Sequence, residues 1–337
     1  MATTKFKAGA PAPSPLPYRS EEEVMSTWQS RGTPLVSICC ATYNHADFLE
    51  DALHGFLGQV TSFPFEIIVR DDASTDGTTD IVMGYAARFP NIIRPVVEKE
   101  NQHSKGIRAN PALLPLASGE FIALCEGDDY WVTPDKLEKQ VHLLHANPKA
   151  SMSVARTAVY KSENGNLVCA SLIMGNEKYL QYFDDIKKTY FHTSTYLIRT
   201  DVYREVLSKY ANKIEYGDTA LRYMLVDIGP LVLLKEVVSV YRVTGRGIWT
   251  SLDEPRQIAW EMRMTEGFYK YFDIKYRHHF GMRLFSLYCH MIKHDAFSFQ
   301  IVSLVSRLPR FMYLLNRYGV SYFMNRATRR MRFLLKN

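Results

Sequence analysis

The chain has 337 residues, 47% of them hydrophobic, 13% aromatic and 23% charged, an ordinary globular composition with material for one large domain or two smaller ones. Its net charge of +6 is unevenly placed: no acid follows Asp295, while Arg307, Arg310, Arg317, Arg326, Arg329, Arg330, Arg332 and Lys336 all lie beyond Ile301. No apolar run reaches the roughly 18 residues of a spanning helix, and an odd set of five cysteines, three of them in apolar strand-like runs, argues against a disulfide framework. The expectation is a chain with reduced, buried thiols working in the cytoplasm; its first residues carry no apolar signal core.

Residues 1–33 are rich in Ala, Pro, Ser and Thr and read as a flexible tail, with order expected from Pro34. Leu35 to Cys40 is a first strand. A helix follows, carrying Phe48, Leu49, Ala52, Leu53, Phe56 and Leu57 as an apolar stripe. Phe65 to Val69 is a second strand, and the helix after it places Ile81, Val82 and Tyr85 on one face. Ile92 to Val97 and Glu120 to Cys125 are the third and fourth strands. Strands alternating with helices predict an α/β sheet covered on both faces, and such sheets bind ligands beyond the carboxyl ends of their strands.

Those ends carry polar clusters. Ala41-Thr42-Tyr43-Asn44-His45 follows the first strand, and Asp71-Asp72-Ala73-Ser74-Thr75-Asp76-Gly77 the second. The fourth runs into Glu126-Gly127-Asp128-Asp129, three acids in four residues. Thr133 is placed as an N-cap and Pro134 as the first residue of the next helix, with Asp135 complementing its dipole. Asp76 reads as a helix cap rather than a ligand contact.

The second half is mixed. Residues 154–160, 167–173, 194–199 and 231–243 read as strands, and 201–210 and 218–226 as helices. From about Pro255 the pattern turns helical, aromatic and basic.

The stretches Pro34 to His45, Phe65 to Gly77 and Ala123 to Trp131, in this order and spacing, resemble glycosyltransferase family 2 over about residues 34–250. The resemblance implies a GT-A fold, a Rossmann-like mixed sheet flanked by helices, over 34–254, with 255–337 as a helical extension. It implies inverting transfer from a nucleotide sugar, UDP-linked first among the candidates. Asp128 and Asp129 match the family's metal motif, with Glu126 at the position commonly held by Asp. They would hold Mn2+ or Mg2+ against a diphosphate, as hard oxygen ligands suit these ions. Thr42, Tyr43 and Asn44, together with Asp71, Asp72 and Asp128, match the donor nucleotide site; either Asp71 or Asp72 can accept a uracil N–H.

Asp218, opening a helix, matches the family's catalytic base, and it is equally well placed as an N-cap. His192 resembles a segment lining the substrate. Arg242, Arg246 and Trp249 lie in a stretch like the family's closing loop, where arginines can grip a diphosphate or serve as surface charge. Thr244 departs from a histidine often found there.

The arginine-rich stretches 308–318 and 322–335 read either as a surface for anionic membrane or as helices packed on the catalytic domain. The first reading suits a glycan or polyprenyl-linked saccharide acceptor in lipopolysaccharide, capsule or related synthesis, on the inner face of the cell membrane. No motif supports nucleic acid as a partner. Cys289, His290 and His294 lack the further ligand pair of a zinc site. A non-catalytic nucleotide-sugar or glycan-binding protein, favoured by Thr244, and a sugar-phosphate nucleotidyltransferase, which would want a glycine-rich loop with lysine after the first strand, are the competing functions.

Overall fold

A computed structural model describes residues 9–163, 166–173, 179–180, 191–210, 212–215, 217–244, 252–297, 307 and 309–318. The chain divides into two compact units, one of residues 1–209 and 221–244, the other of 210–220 and 245–337.

The first unit is built on one mixed sheet. Strands β1 (Val36–Thr42), β2 (Phe65–Asp71), β3 (Ile93–Val97) and β4 (Phe121–Leu124) pair in parallel in the order β3-β2-β1-β4. The register sets Val36 beside both Phe65 and Phe121, so these parallel strands start level and their following loops lie on one edge; β1 and β2 end together at Thr42 and Asp71, while β4 ends earlier, with Leu124 beside Cys39. The rest of the sheet breaks the parallel pattern. β9 (Leu197–Arg199) runs antiparallel to β4 and to β6 (Met152–Glu163), and β10 (Leu231–Val243) runs parallel to β6. Short β5 (Tyr130–Trp131) closes the path against β10, while β7 (Asn166–Ile173) and β8 (Tyr179–Leu180) hang from β6 and β10.

Helices α2 (Leu49–Leu57), α3 (Thr78–Arg88), α4 (Ala109–Leu113) and α5 (Lys136–His145) follow the parallel strands in this unit. The stripe read from the sequence is buried: Leu49, Ala52, Leu53, Phe56 and Leu57 share one core with Ile38, Ile67, Phe121 and Leu137. α2 sits close because Gly55 has no side chain, and a Cβ there would lie 2.8 Å from the backbone N of Trp131. Helix α6 (Thr200–Tyr210) follows β9.

Two expectations are corrected. The loose tail assigned to 1–33 is folded over its described residues, 9–33. Helix α1 (Glu21–Met25) is closed by a reciprocal capping box between Ser20 and Glu23, and it buries Val24 in the core. Further upstream, the carbonyls of Pro13 and Pro11 accept the hydroxyls of Tyr130 at 2.7 Å and Tyr160 at 3.3 Å. Nor does Thr133 cap α5. The helix begins at Lys136, and the Gln59 side chain does the capping: its Oε1 accepts the Leu137 N–H at 3.1 Å and its Nε2 donates to the Thr133 carbonyl at 2.8 Å.

The second unit is helical, with α8 (Glu254–Tyr271), α9 (Arg277–Phe297) and a helix over 309–318. Ile258, Met262, Leu284, Phe285, Met291, Leu314 and other apolar residues form its own core. Helix α7 (Asp218–Ile228) starts in this unit and ends in the first. Leu314 and Tyr318 are buried here, so this part of the basic stretch packs on its own helices; 322–335 lies outside the described residues. No described helix is long and apolar enough to cross a membrane.

Candidate donor site at the carboxyl edge of the sheet

The loops after β1 and β2 are tied into one platform. Asn44 turns the first loop with a positive φ of 53°, a conformation that asparagine tolerates better than most residues. Its Oδ1 accepts the Thr75 N–H at 2.9 Å, and its own N–H donates to Ser74 Oγ at 2.8 Å. The His45 N–H reaches Thr78 Oγ1 at 2.9 Å, and the Ala46 N–H reaches Asp76 at 3.0 Å. Asp76 also accepts the Thr78 N–H at 3.0 Å, near the start of α3. Asn44 thus holds the platform, while Tyr43 beside it stands exposed.

The two aspartates after β2 have different partners. Asp71 is fully buried, and its carboxylate takes the hydroxyls of Ser74 and Thr79. Asp72 accepts the N–H groups of Gln102 at 2.8 Å and His103 at 3.0 Å, with Arg70 at 3.6 Å.

The acidic turn after β4 presses against the β1 loop. Gly127 makes this approach possible: a Cβ there would fall 2.8 Å from Thr42 Oγ1 and 3.2 Å from His45 Nδ1. Thr42 Oγ1 is buried without a hydrogen-bond partner among the described residues. Asp128 and Glu126 are half-buried, and His45 Nε2 stands 3.8 Å from Asp128.

Asp129 points elsewhere. It is buried, accepts the Arg242 backbone N–H at 3.0 Å, and meets His192 Nδ1 at 3.3 Å. Burial pushes its carboxyl well above the usual range, and the charges of Asp128 and Glu126 push the same way against Arg242. His192 is pushed down to about 3 by burial; it is therefore a neutral ring, stacked 4.1 Å from Tyr241.

Arg242 is a buried clamp. Its guanidinium pairs with Asp51 on α2, donates to the Asp128 carbonyl at 3.2 Å, and lies 4.3 Å over the Tyr130 ring. The sequence left this arginine as a phosphate grip or a surface charge, and here it braces the turn from beneath. Arg246 and Trp249 lie outside the described residues. Asp218 is exposed at the first position of α7, in the second unit.

Sequence reading missed Asp51 and Lys136 as neighbours of this edge. Lys136 is buried, with Nζ 4.0 Å over the Trp131 ring. Asp51 carries no local signal, because its partner Arg242 lies far away in sequence, and Lys136 reads as an ordinary helical lysine until its burial is seen.

The donor set suits a hard divalent cation. Two half-buried carboxylates, Glu126 and Asp128, offer oxygen at the end of a strand, and their negative potential raises the nearby Asp129. Among the described residues no three of His, Cys, Asp or Glu are arranged to hold a metal. An ion held by one or two carboxylates and completed by substrate phosphates needs no such cage.

The family model for Glycosyl transferase family 2 matches residues 37–207, half of the chain. The chain belongs to glycosyltransferase family 2. An uncharacterized protein of Mycobacterium tuberculosis is 33% identical over 238 residues, covering 68% of this chain; the chain in turn spans 64% of that relative's length. The putative teichuronic acid biosynthesis glycosyltransferase TuaG of Bacillus subtilis is 39% identical over 121 residues, 36% of this chain and 44% of TuaG. The UDP-Glc:alpha-D-GlcNAc-diphosphoundecaprenol beta-1,3-glucosyltransferase WfaP of Escherichia coli is 37% identical over 113 residues, 33% of this chain and 41% of WfaP. The crystal structure of S. aureus TarS 1-349 with UDP-GlcNAc superposes with a TM-score of 0.57 at 17% identity, over 84% of this chain and 80% of that one. The family 2 chain therefore has the mixed α/β sheet of the GT-A type that the sequence predicts.

Proposed function

We propose that the chain is an inverting, metal-dependent glycosyltransferase. It moves one sugar from a nucleotide sugar, UDP-linked first, to a glycan or polyprenyl-linked acceptor in surface polysaccharide synthesis. The observation that carries this reading is the half-buried Asp128 carboxylate beside Glu126, set against the Thr42 loop by Gly127 at the sheet's carboxyl edge. The nucleotide sugars of two similar proteins, UDP-GlcNAc with TarS and UDP-Glc for WfaP, support a uridine nucleotide, and the diphosphoundecaprenol acceptor of WfaP supports a polyprenyl-linked one. Such an acceptor brings the protein to the inner face of the cell membrane as a peripheral partner.

Asp128, with Glu126 beside it, would hold Mn2+ or Mg2+. Once bound, the ion supplies Lewis-acid neutralisation of the charge on the departing diphosphate. Thr42 and Tyr43 hold the nucleoside, with Asp71 or Asp72 accepting from the base. Asp129, His192 and Arg242 keep the turn in place from below. Asp218 accepts the proton of the acceptor hydroxyl as that oxygen attacks the anomeric carbon. The bond to the diphosphate breaks on the opposite face, which inverts the configuration.

The test couples a thermal-shift panel of nucleotide sugars with Mn2+ to transfer by Asp218→Asn. A matching donor raises Tm by mass action. The variant keeps that shift and loses at least about 100-fold in turnover, the size of a general-base contribution. A panel with no shift sinks the donor site, and undiminished turnover removes Asp218 from its role. A retained anomeric configuration in the product overturns inversion.

A further inference from the structure

The helical unit contains a cavity of about 640 Å³ lined by Lys270, Arg277, Arg310 and Arg317. Glu266 is the carboxylate among the lining residues, and Tyr288 already donates to it at 3.1 Å. Burial pushes the Tyr288 hydroxyl up to about 12, so it stays a neutral donor.

Helical spacing explains the convergence. Glu266, Tyr269 and Lys270 sit at i, i+3 and i+4 on α8, and Arg310, Tyr313 and Arg317 at i, i+3 and i+7 on the last helix. Three helices thus turn cationic or aromatic faces to one space, with Arg277 supplied by α9.

Like charges gathered this way repel, and the tyrosines offset only part of that. Arg310 lies 5.8 Å over the Tyr269 ring and 5.3 Å over Tyr313. Arg277 shows the deficit most plainly: its Nε is buried without a hydrogen-bond partner among the described residues. A buried guanidinium donor lacking an acceptor is costly, and an anion entering the cavity would satisfy it.

We propose that this cavity binds a phosphorylated ligand carrying more than one negative charge, a diphosphate or phosphate ester. The arginine forks match phosphate oxygens in a bidentate geometry, and the volume exceeds what inorganic phosphate needs, leaving room for the group it is attached to. The site uses no residue of the donor edge and stands whether or not the proposed transfer is correct. The phosphate can belong to a soluble compound or to a lipid headgroup.

Inorganic pyrophosphate, titrated calorimetrically into the full chain with a chelator present, is the direct probe, because the donor edge needs a divalent ion to attract it. Binding is expected, weakening as salt rises. Lys270 and Arg317 are exposed, so Lys270→Gln with Arg317→Gln should fold normally. The pair should weaken pyrophosphate at least about tenfold. Arg277→Lys keeps the charge but loses the Nε donor, and should weaken it less. Asp128→Asn should leave the affinity unchanged.

The absence of binding, binding indifferent to the two glutamine substitutions, or binding lost in Asp128→Asn would each overturn the site. Phosphatidylglycerol vesicles, with phosphatidylcholine as control, separate the sources. Vesicle binding that pyrophosphate displaces and the glutamine pair abolishes assigns a lipid headgroup. Pyrophosphate binding alone assigns a soluble ligand.

Discussion

The backbone N–H of Arg242 on β10 donates to the Asp129 carboxylate at 3.0 Å, joining the acidic turn to a strand more than a hundred residues later. Adjacent acids on this turn therefore have separate tasks: Asp128 faces the edge, and Asp129 faces the protein. Asn at 129 keeps an acceptor for Arg242 and gains an amide that can donate to the neutral His192 ring. Asp129→Asn should unfold within about 1 kcal/mol of wild type, whereas Asp129→Ala orphans the N–H and should cost about 1–3 kcal/mol. Asp128→Asn should leave stability intact and reduce metal-supported transfer at least about 100-fold. Denaturant unfolding and initial rates check both; stability unaffected by Asp129→Ala would refute the anchoring role.

Gly127 is required for space rather than for backbone freedom, since its φ is not among the positive ones. The atoms its Cβ would strike belong to Thr42, which is buried, and to His45. Neither the strand end nor the tied loop can give way cheaply. Gly127→Ala should cost about 1–3 kcal/mol and weaken nucleotide binding by separating the two loops. Calorimetry with a uridine nucleotide and an unfolding curve measure the two effects; unchanged values in both would show that the loops are free to part.

What could be read in the sequence had a local period or a compact motif. The strand over 231–243 is found with the bounds expected, because a long apolar, β-branched run decides it. The loop residues 42–44, 71–72 and 126–129 were legible for the same reason: polar clusters at the ends of apolar runs. Other features were harder. The Ser20-to-Glu23 capping box was present as a four-residue pattern, but the proline-rich surroundings concealed it. Gln59 capping α5 and Asp51 pairing with Arg242 join residues with no shared periodicity, so only the folded chain reveals them. Arg242 looked like a surface or ligand arginine because sequence carries no information about the ring beneath it.

Lys136 offers a test of how the core beside the acidic turn tolerates charge. It is fully buried, and burial lowers its ammonium from the ordinary 10.5 to about 7. The folded state therefore releases this proton near pH 7, while the unfolded chain keeps it up to about 10.5. Between those values the unfolded state binds more protons, so stability rises with pH across the window, and it falls as pH drops toward 7. The full shift corresponds to about 5 kcal/mol, and the Trp131 face, which favours the cation, reduces it. Lys136→Met fills similar volume without the charge. It should be more stable than wild type at pH 7, with the difference shrinking toward pH 10.5. Unfolding free energies from pH 7 to 10 decide the matter: parallel curves for the two proteins would mean that Lys136 keeps its proton throughout, held by the ring it covers.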